Sequence, residues 1–380
     1  MIRMPAGLML YAMALSAMLQ WRAAPGDPLR PPQHLPSPPA GAHALAGSGD
    51  SVSVLMFSSF TLARVRLNTE CAWLVNGRDV REHSLTIAAA SDGLRVNGRR
   101  VAACEARPAA SRIIRIEGGG REKSIRGRIT ITAERGRLKL IGHMAERDYL
   151  AATLTSEAMP SDPMEYLTAL SVVQRNYLRF HRPRHLPDAE MCDNTHCQLV
   201  NLKEGWERVY AAVDRASHLE LTAEGGLPCY YSVACGGSTL TPAQIWNRSE
   251  PGYSNVTCTY CRRCSRYRWT RTFKATREVD AILRTAPAAP CVDDDLRIAL
   301  GRAAGFNNVL SNTFERIERH GTMYVIAGRG FGHRIGLCQE GARELARHGW
   351  SAQRILAYYF PAAQLRFNSR ATPRTSRDPR

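Results

Sequence analysis

The residue best suited to acid–base chemistry is Glu157. It ends a predicted helical segment that contains Leu150 and Leu154, and Ala-Met-Pro follows at residues 158–160. A carboxyl group among apolar neighbours at a helix end loses solvation, so its pKa rises and it can hold a proton near neutral pH. Such a group can act as a general acid. Spacing alone is weak support, because a Glu near a helix end is usually just solvated.

A second group of residues has the composition of a metal site. Cys192 and Cys197 are four residues apart, His196 precedes Cys197 directly, and His181 and His185 lie upstream. Thiolate and imidazole ligands suit Zn²⁺. The spacing is not that of a standard zinc knuckle, since the adjacent His196 and Cys197 must face one centre. We predict a structural zinc site formed by His185, Cys192, His196 and Cys197.

Another set of cysteines lies further along the chain. Cys258, Cys261 and Cys264 recur at intervals of three in a basic loop, and Cys235 or Cys229 could complete a metal site with them. The chain contains eleven cysteines in total. In an exported protein the same residues could instead form disulfides. The sequence leaves both alternatives open.

The elements that must position these residues change along the chain. Residues 51–143 contain short runs in which polar and apolar residues alternate, as at 125–131, and turn signals such as Asn76-Gly77 separate the runs. This pattern predicts a β-rich region. Residues 144–366 mix helical and strand patterns. The predicted fold class is α+β, with the β-rich N-terminal region packed with a mixed α/β region that carries Glu157.

Two helices are predicted, one that contains Glu157 and one that follows it. The first covers residues 148–158. The second begins at Asp162-Pro163, with Glu165 in its first turn, and extends to about Arg179. Asp at the N-cap and Pro at the first helical position are typical of a helix start. The residues expected to form its buried stripe recur at helical spacing: Leu167, Leu170, Val173 and Tyr177.

The two ends of the chain differ from the body. Arg3 precedes an uncharged, largely apolar run at residues 4–20, so residues 1–24 predict a signal peptide or an N-terminal anchor. A buried helix is the alternative. Residues 25–50 form a predicted Pro-rich linker, and residues 367–380 a basic disordered tail. We therefore expect export to the cell envelope or periplasm, with membrane contact only through the N-terminal segment.

Composition and net charge limit both the class of protein and the kinds of partner that it is expected to bind. The 380 residues are 44% hydrophobic and 22% charged, which excludes collagen-like, coiled-coil and multi-span membrane proteins. Lys and Arg number 51 against 34 Asp and Glu, giving a net charge of +17. The charge favours a polyanionic partner, although a bias toward Arg codons would have the same effect. No cluster of aromatic and basic residues resembles a nucleic-acid module, so we expect no nucleic-acid partner.

Four stretches, in this order, resemble the sporulation stage II protein D (SpoIID) family, which includes the amidase-enhancer proteins. They are residues 148–160 (DYLAATLTSEAMP), 193–198 (DNTHCQ), 231–239 (YSVACGGST) and 328–342 (GRGFGHRIGLCQEGA). Residues 350–361 resemble the end of the family domain. The resemblance covers roughly residues 51–366 and implies a SpoIID-like fold.

The resemblance implies a murein lytic transglycosylase that acts on cell-wall glycan, preferentially on strands without stem peptides. Glu157 matches the family's catalytic Glu. As an acid it would protonate the oxygen between N-acetylmuramic acid and N-acetylglucosamine. As a base it would take the proton of the 6-hydroxyl group, which attacks the anomeric carbon and leaves a 1,6-anhydro end. The reaction consumes no water and needs neither a second carboxylate, unlike most glycosidases, nor a cofactor.

The resemblance also implies substrate-binding residues. Arg175 could bind the lactyl carboxylate of muramic acid through its guanidinium group, or it could form a structural ion pair. The remaining matched positions are expected to form hydrogen bonds to the sugar or to let the backbone approach it closely. They are Tyr177, Gln198, Ser232, Cys235, Gly236, Gly237, His333 and Gln339. Three positions depart from residues common in the family: Arg334 replaces Gly, Cys338 replaces Ser, and Glu340 replaces an aromatic residue.

Two other functions remain open from the sequence. The chain could be a non-catalytic cell-wall protein that recruits or activates an N-acetylmuramoyl-L-alanine amidase. It could also be a zinc hydrolase centred on Cys192 and Cys197. The expected partners are therefore peptidoglycan glycan strands and, for the first alternative, a cell-wall amidase.

Overall fold

The computed structural model describes residues 51–224 and 226–367. The predicted signal peptide or anchor (1–24), the Pro-rich linker (25–50) and all but the first residue of the tail (367–380) lie outside the described residues. Among the described residues, no helix is both long and apolar enough to cross a membrane.

The described residues form two compact units, each discontinuous in sequence. The N-terminal unit comprises residues 51–161 and 178–214, and the C-terminal unit comprises residues 162–177 and 215–367. Residues 144–161 and 178–214, which the sequence patterns group with the mixed region, thus cluster with the β-rich residues. The predicted α+β class is confirmed, because both units contain strands and helices.

Two sheets form most of the N-terminal unit. Their strands are β1 (Ser51–Met56), β2 (Arg64–Asn68), β3 (Trp73–Val75), β4 (Arg78–Val80), β5 (Ser84–Ala90), β6 (Gly93–Val96), β7 (Arg99–Val101), β8 (Cys104–Pro108), β9 (Ile113–Gly118), β10 (Arg121–Arg126), β11 (Arg128–Glu134), β12 (Arg137–Ala145) and β13 (Met191–Cys192). One sheet has seven strands in the order β13-β1-β12-β11-β8-β3-β4. The other has six, in the order β10-β9-β2-β5-β6-β7.

Side-chain alternation explains why these residues form sheets. Buried and more exposed positions alternate along β1 and β12, so one face of each strand enters the core. The alternating run at residues 125–131 predicts one continuous strand, and this prediction is wrong at one residue. Gly127 has φ +139°, and a Cβ atom there would lie 2.1 Å from the His143 carbonyl oxygen. The chain therefore breaks into β10 and β11 at this glycine.

Three helices follow the sheets: α1 (Glu146–Glu157), α2 (Met164–His181) and α3 (Glu207–Ser217). Helix α1 follows β12 without a loop and begins two residues before the predicted start. Helix α2 contributes residues to both units. Its predicted buried stripe is confirmed, because all four side chains are at most 7% exposed: Leu167, Leu170, Val173 and Tyr177.

The C-terminal unit contains one larger sheet and several short pairings. Its strands are β14 (Leu219–Thr222), β15 (Tyr231–Ser232), β16 (Arg268–Lys274), β17 (Cys291–Val292), β18 (Thr313–His320), β19 (Met323–Arg329), β20 (Leu337–Cys338) and β21 (Gln364–Phe367). Its further helices are α4 (Pro242–Trp246), α5 (Arg277–Thr285), α6 (Asp294–Ala304), α7 (Gln339–Arg347) and α8 (Ala352–Tyr359), with a 3₁₀ turn at Tyr260–Arg263. The four-stranded sheet has the order β16-β19-β18-β17, and β15 pairs with β20 in parallel.

A buried ion pair supports the C-terminal unit. The Arg343 guanidinium in α7 donates from Nε to Asp162 Oδ1 at 2.7 Å, and its carbon lies 4.7 Å from the centre of the Tyr166 ring. The side chains of Arg343 and Asp162 are 6% and 2% exposed. Removing one partner of such a pair leaves the other charge unpaired in a poorly solvated site.

We therefore expect Arg343→Met to lower the free energy of unfolding by roughly 3–5 kcal/mol, measured by urea denaturation. Arg347→Met is the matched control on the same helix. It removes the exposed pair with Glu344 and should cost no more than about 0.5 kcal/mol. Equal losses in the two variants would contradict a structural role for the buried pair.

Candidate active site

Glu157 is the last residue of α1, and its side chain is half-buried. The turn before it is apolar and closely packed, since Leu150 and Leu154 are at most 3% exposed. The helix ends there because Ala158 is extended, while its N–H still donates to the Leu154 carbonyl oxygen at 2.9 Å. The carboxyl group thus stands at the junction between a rigid helix and the following loop.

The loop at residues 198–206 holds the end of α1. The Asn201 N–H donates to the Ala152 carbonyl oxygen at 3.3 Å, and the Thr155 hydroxyl donates to the Asn201 carbonyl oxygen at 2.8 Å. The Lys203 N–H donates to Thr155 Oγ1 at 3.3 Å. These bonds place the loop against the helical turn that carries Glu157.

Lys203 in this loop is a neighbour that the sequence patterns did not indicate. Its ammonium group lies 5.1 Å from the centre of the Trp206 ring. Burial lowers the pKa of Lys203, and the negative charge of Glu157 acts in the opposite direction. A half-buried cation therefore lies within electrostatic reach of the Glu157 carboxyl group. Only the three-dimensional position of the loop reveals it, because Lys203 is 46 residues away in sequence.

Gln198 also belongs to the N-terminal unit. It is 2% exposed, and its Oε1 accepts a hydrogen bond from the Tyr149 hydroxyl at 2.9 Å. Tyr149 is itself fully buried in α1. Gln198 therefore ties the start of the 198–206 loop to α1.

The four predicted metal ligands converge in the same unit. The ligand atoms of His185, Cys192, His196 and Cys197 all lie within 4.8 Å of one another. His185 Nε2 is 3.2 Å from both Cys197 Sγ and His196 Nδ1, and Cys192 Sγ is 3.8 Å from His196 Nδ1. A zinc tetrahedron with Zn–N near 2.0–2.1 Å and Zn–S near 2.3 Å has edges of about 3.3–3.8 Å. The residues therefore fit one Zn²⁺ ion with a closed set of four ligands.

Asp193 explains how adjacent residues can face one centre. Its carboxylate is 1% exposed and accepts hydrogen bonds from the Ser58 N–H at 3.1 Å and from Lys123 Nζ at 2.6 Å. Asn194 Oδ1 accepts a hydrogen bond from the His196 N–H at 2.8 Å, which tightens the turn before Cys197. The Asp193 bonds anchor the segment to Ser58 and Lys123, and the Asn194 bond turns the chain just before Cys197.

Arg175 and Tyr177 lie on α2 in the C-terminal unit. Arg175 is 3% exposed, and its guanidinium donates to the carbonyl oxygens of Ala216 (2.6 Å) and Leu219. Tyr177 is 7% exposed and makes an edge contact with the Tyr230 ring, with centroids 6.0 Å apart. The contacts of Arg175 join α2 to the start of β14, so they favour a positioning role over recognition of a sugar carboxylate.

The remaining predicted residues come together around the β15–β20 pair. In this parallel pair Tyr231 lies opposite Leu337 and Ser232 opposite Cys338. Ser232 Oγ is 3.2 Å from His333 Nδ1, and the Ile335 N–H donates to the same nitrogen at 3.0 Å. Because Nδ1 accepts, the neutral imidazole carries its proton on Nε2.

Aromatic rings surround His333. Its ring centroid lies 5.4 Å from that of Trp246 and 6.1 Å from that of Tyr230. Burial lowers the pKa of His333 to about 4, although the nearby Asp294 carboxylate partly opposes this effect. His333 is therefore a neutral hydrogen-bonding group at physiological pH. Trp246, whose Nε1 donates to Asp294 Oδ2 at 3.3 Å, is a further neighbour that spacing did not identify as part of the site.

Two glycines and one arginine shape this segment. Gly236 has φ +66°, and a Cβ atom there would lie 2.6 Å from the Gly330 nitrogen; a Cβ on Gly237 would lie 2.9 Å from the Tyr267 hydroxyl. Arg334 has φ +65°, a conformation that glycine adopts more easily. Its guanidinium donates to the Cys235 carbonyl oxygen at 2.6 Å and to the Ser238 carbonyl oxygen at 2.8 Å. These bonds hold the residue in that conformation.

The last two predicted residues are buried in the same place. Gln339 begins α7 and is 2% exposed. Cys235 is 1% exposed, and its N–H donates to Cys338 Sγ at 3.3 Å. The predicted residues thus form one set in each unit: Glu157, Gln198 and the four metal ligands in the N-terminal unit, and Arg175, Tyr177, Ser232, Cys235, Gly236, Gly237, His333 and Gln339 in the C-terminal unit.

We expect His333 to destabilise the fold in acid. Its folded pKa of about 4 lies below the unfolded value near 6.5, so the unfolded chain binds the extra proton between these values. Stability should fall as the pH drops through this window, by at most about 3–4 kcal/mol from this group. His333→Gln should remove this component of the loss in pH-dependent urea unfolding. His348→Gln, at an exposed histidine, should retain it, and an unchanged acid slope in His333→Gln would contradict the assignment.

Comparisons with known proteins agree with the sequence resemblance. Residues 134–222 match the family model described as Stage II sporulation protein (SpoIID). An uncharacterised protein of Brachyspira hyodysenteriae is 26% identical over 248 residues, which is 58% of this chain and 66% of that protein. The amidase enhancer of Bacillus subtilis is 37% identical over 57 residues, which is 15% of this chain and 8% of that protein.

The chain therefore spans less than two thirds of each of these relatives. The matched segment of the family model includes Glu157, Arg175, Gln198 and all four predicted metal ligands. Residues 134–222 are therefore similar to the SpoIID family, and the short match to the amidase enhancer agrees with this similarity.

Proposed function

We propose that this protein is a murein lytic transglycosylase that uses Glu157 as both acid and base. The observation that carries the proposal is the position of Glu157 within the matched SpoIID segment, at the end of a buried helical turn and held by the 198–206 loop. A carboxyl group held on a rigid element suits a reaction that depends on placing one proton donor at a glycosidic oxygen.

The mechanism requires the same carboxyl group to change charge twice. Glu157 first protonates the oxygen between N-acetylmuramic acid and N-acetylglucosamine and becomes a carboxylate. The nearby Lys203 cation stabilises this carboxylate electrostatically. The carboxylate then accepts the proton of the 6-hydroxyl group as that oxygen attacks the anomeric carbon. The product has a 1,6-anhydro end, and Glu157 is again protonated.

The C-terminal unit supplies groups suited to sugar recognition. Neutral His333 offers an Nε2–H donor, and Ser232 offers a hydroxyl group beside it. The half-buried Trp246 provides aromatic surface next to these polar groups. A low pKa suits His333 to hydrogen bonding rather than to proton transfer near pH 7. The net charge of +17 favours an anionic glycan as the polymer.

Zinc has a structural role in this proposal. His185, Cys192, His196 and Cys197 would hold one Zn²⁺ ion, and four protein ligands leave no open position for a reacting water molecule. The zinc-hydrolase alternative is therefore disfavoured. The metal would brace the segment that leads into Gln198 and the loop behind Glu157. We further propose that the protein is exported, because its substrate is the cell wall.

The similarity to the amidase enhancer favours a second candidate function. In that case the chain binds the cell wall and recruits or activates an amidase without cleaving glycan. The two functions differ in their product. Only a lytic transglycosylase releases anhydro-muramyl ends from purified glycan strands in the absence of another enzyme.

We expect Glu157→Gln to reduce the release of anhydro-muramyl ends by at least ~100-fold. The measurement is mass spectrometry of denuded glycan strands after incubation with the purified full chain. Glu146→Gln is the matched control, because Glu146 lies at the opposite end of the same helix and should retain activity. A wild-type protein that releases no such ends, or a fully active Glu157→Gln variant, would favour the amidase-activating function.

We expect Cys197→Ser to lower the zinc content of the purified protein by about one equivalent, measured by elemental mass spectrometry. The melting temperature should also fall, because a structural zinc contributes to folding. Cys71→Ser is the control, since Cys71 is a partly exposed cysteine of the same unit outside the ligand set. Equal zinc content in both variants would exclude this site.

A further inference from the structure

Four cysteine sulfurs meet in the interior of the C-terminal unit. Cys235, Cys258, Cys261 and Cys338 are each at most 1% exposed, and all four Sγ atoms lie within 4.8 Å of one another. They come from three separate segments: the loop after β15, the 3₁₀ turn region and the end of β20. Buried thiols can pack as small apolar groups, but that role does not require four of them to meet at one point.

The distances distinguish a metal site from disulfides. Cys235 Sγ lies 3.5 Å from Cys261 Sγ, whereas a disulfide bond is about 2.05 Å long. A tetrahedral ion with Zn–S bonds of about 2.3 Å separates its sulfurs by about 3.8 Å. Because each sulfur neighbours all three others, the arrangement is a tetrad and not two pairs. A limit of 4.8 Å between all sulfurs leaves room for one ion at the centre.

Hydrogen bonds to the sulfurs are those expected around metal-bound thiolates. Cys338 Sγ accepts from the N–H groups of Cys235 (3.3 Å) and Gly341 (3.4 Å), and Cys258 Sγ lies 3.3 Å from the Tyr359 hydroxyl. Such bonds orient ligands and stabilise their charge. Gly341 is required at its position, since a Cβ atom there would lie 2.7 Å from Cys258 Sγ.

The charge balance also points to bound thiolates. Four thiolates around one Zn²⁺ ion carry a net charge of −2. Arg334 is 3% exposed, and its guanidinium donates to the Cys235 and Ser238 carbonyl oxygens and to the Thr313 hydroxyl. Among the described residues these partners are all uncharged, although a buried cation ordinarily has an anionic partner. An anionic metal centre beside the Cys235 carbonyl would provide it.

We propose that Cys235, Cys258, Cys261 and Cys338 bind one Zn²⁺ ion as a structural tetrathiolate site. Four sulfur ligands in a tetrahedron are typical of structural zinc. The ion joins the loop after β15 to the start of α7. Ser232 pairs with Cys338, and Ser232 contacts His333, so the metal stabilises the segments that carry both groups. The site is separate from the His185–Cys197 site and does not depend on the proposed reaction.

The first test compares zinc content in single variants of the full chain purified under reducing conditions. Cys258→Ala should contain about one zinc equivalent less than Cys264→Ser. Cys264 is the matched control because it lies in the same loop but outside the tetrad. This difference is independent of whether the other zinc site is occupied. Equal zinc content in two folded variants would overturn the proposal.

The second test uses the wild-type protein and so avoids any loss of folding. Zinc X-ray absorption reports the mean ligand set, with Zn–S distances near 2.3 Å. If both sites are filled, the mean is three sulfurs and one nitrogen; if only the tetrad is filled, it is four sulfurs. A mean of two sulfurs and two nitrogens would overturn the proposal. Two disulfides among the four cysteines, shown by thiol alkylation of the denatured chain, would overturn it as well.

Discussion

The position of Glu157 depends on a buried hydroxyl group two residues before it. Thr155 is fully buried, and a buried hydroxyl must find hydrogen-bond partners to offset its lost solvation. It donates to the Asn201 carbonyl oxygen and accepts from the Lys203 N–H. These two hydrogen bonds also pair a backbone carbonyl group and a backbone N–H group of the loop, which would be costly to bury without partners. The hydrogen bonds of Thr155 therefore hold the loop against the last turn of α1 and bring Lys203 near the Glu157 carboxyl group.

In the C-terminal unit, the strands that carry Ser232 and Cys338 are very short. β15 and β20 contain two residues each, which is too little pairing for independent stability. Their surroundings compensate through close backbone approach at Gly236 and through the hydrogen bonds of Arg334. An arginine at φ +65° loses some backbone stability relative to glycine, and its buried bonds to three neighbours offset that loss. These bonds explain how an arginine is held in a backbone conformation that favours glycine.

The sequence predicted the elements whose signals are local. Helix α2 follows from capping residues and apolar spacing, and the metal ligands His185 to Cys197 follow from composition within 13 residues. Strands β16 and β18 were not predicted, because most of their positions are exposed or charged and only Trp269, Phe273, Thr313 and Phe314 are buried. Lys203 and the fourth member of the tetrad, Cys338, were beyond local reasoning. Both depend on residues that are far apart in sequence and meet only after folding. The sequence indicated Cys235, Cys258 and Cys261 as candidate ligands but placed Cys264 with them instead of Cys338.

Clustering, and not burial, distinguishes the ligand cysteines from the others, since Cys104 and Cys229 are as buried as the ligands. Six of the eleven lie in the two ligand sets. Of the others, Cys104 and Cys264 have pKa values raised to about 11 chiefly by burial, and burial also raises the pKa of Cys229 and Cys291. A thiol with a raised pKa forms little thiolate near neutral pH and is a poor nucleophile. These four cysteines therefore offer no competing covalent chemistry. The acid–base chemistry proposed for Glu157 therefore meets no competing thiolate at these four positions.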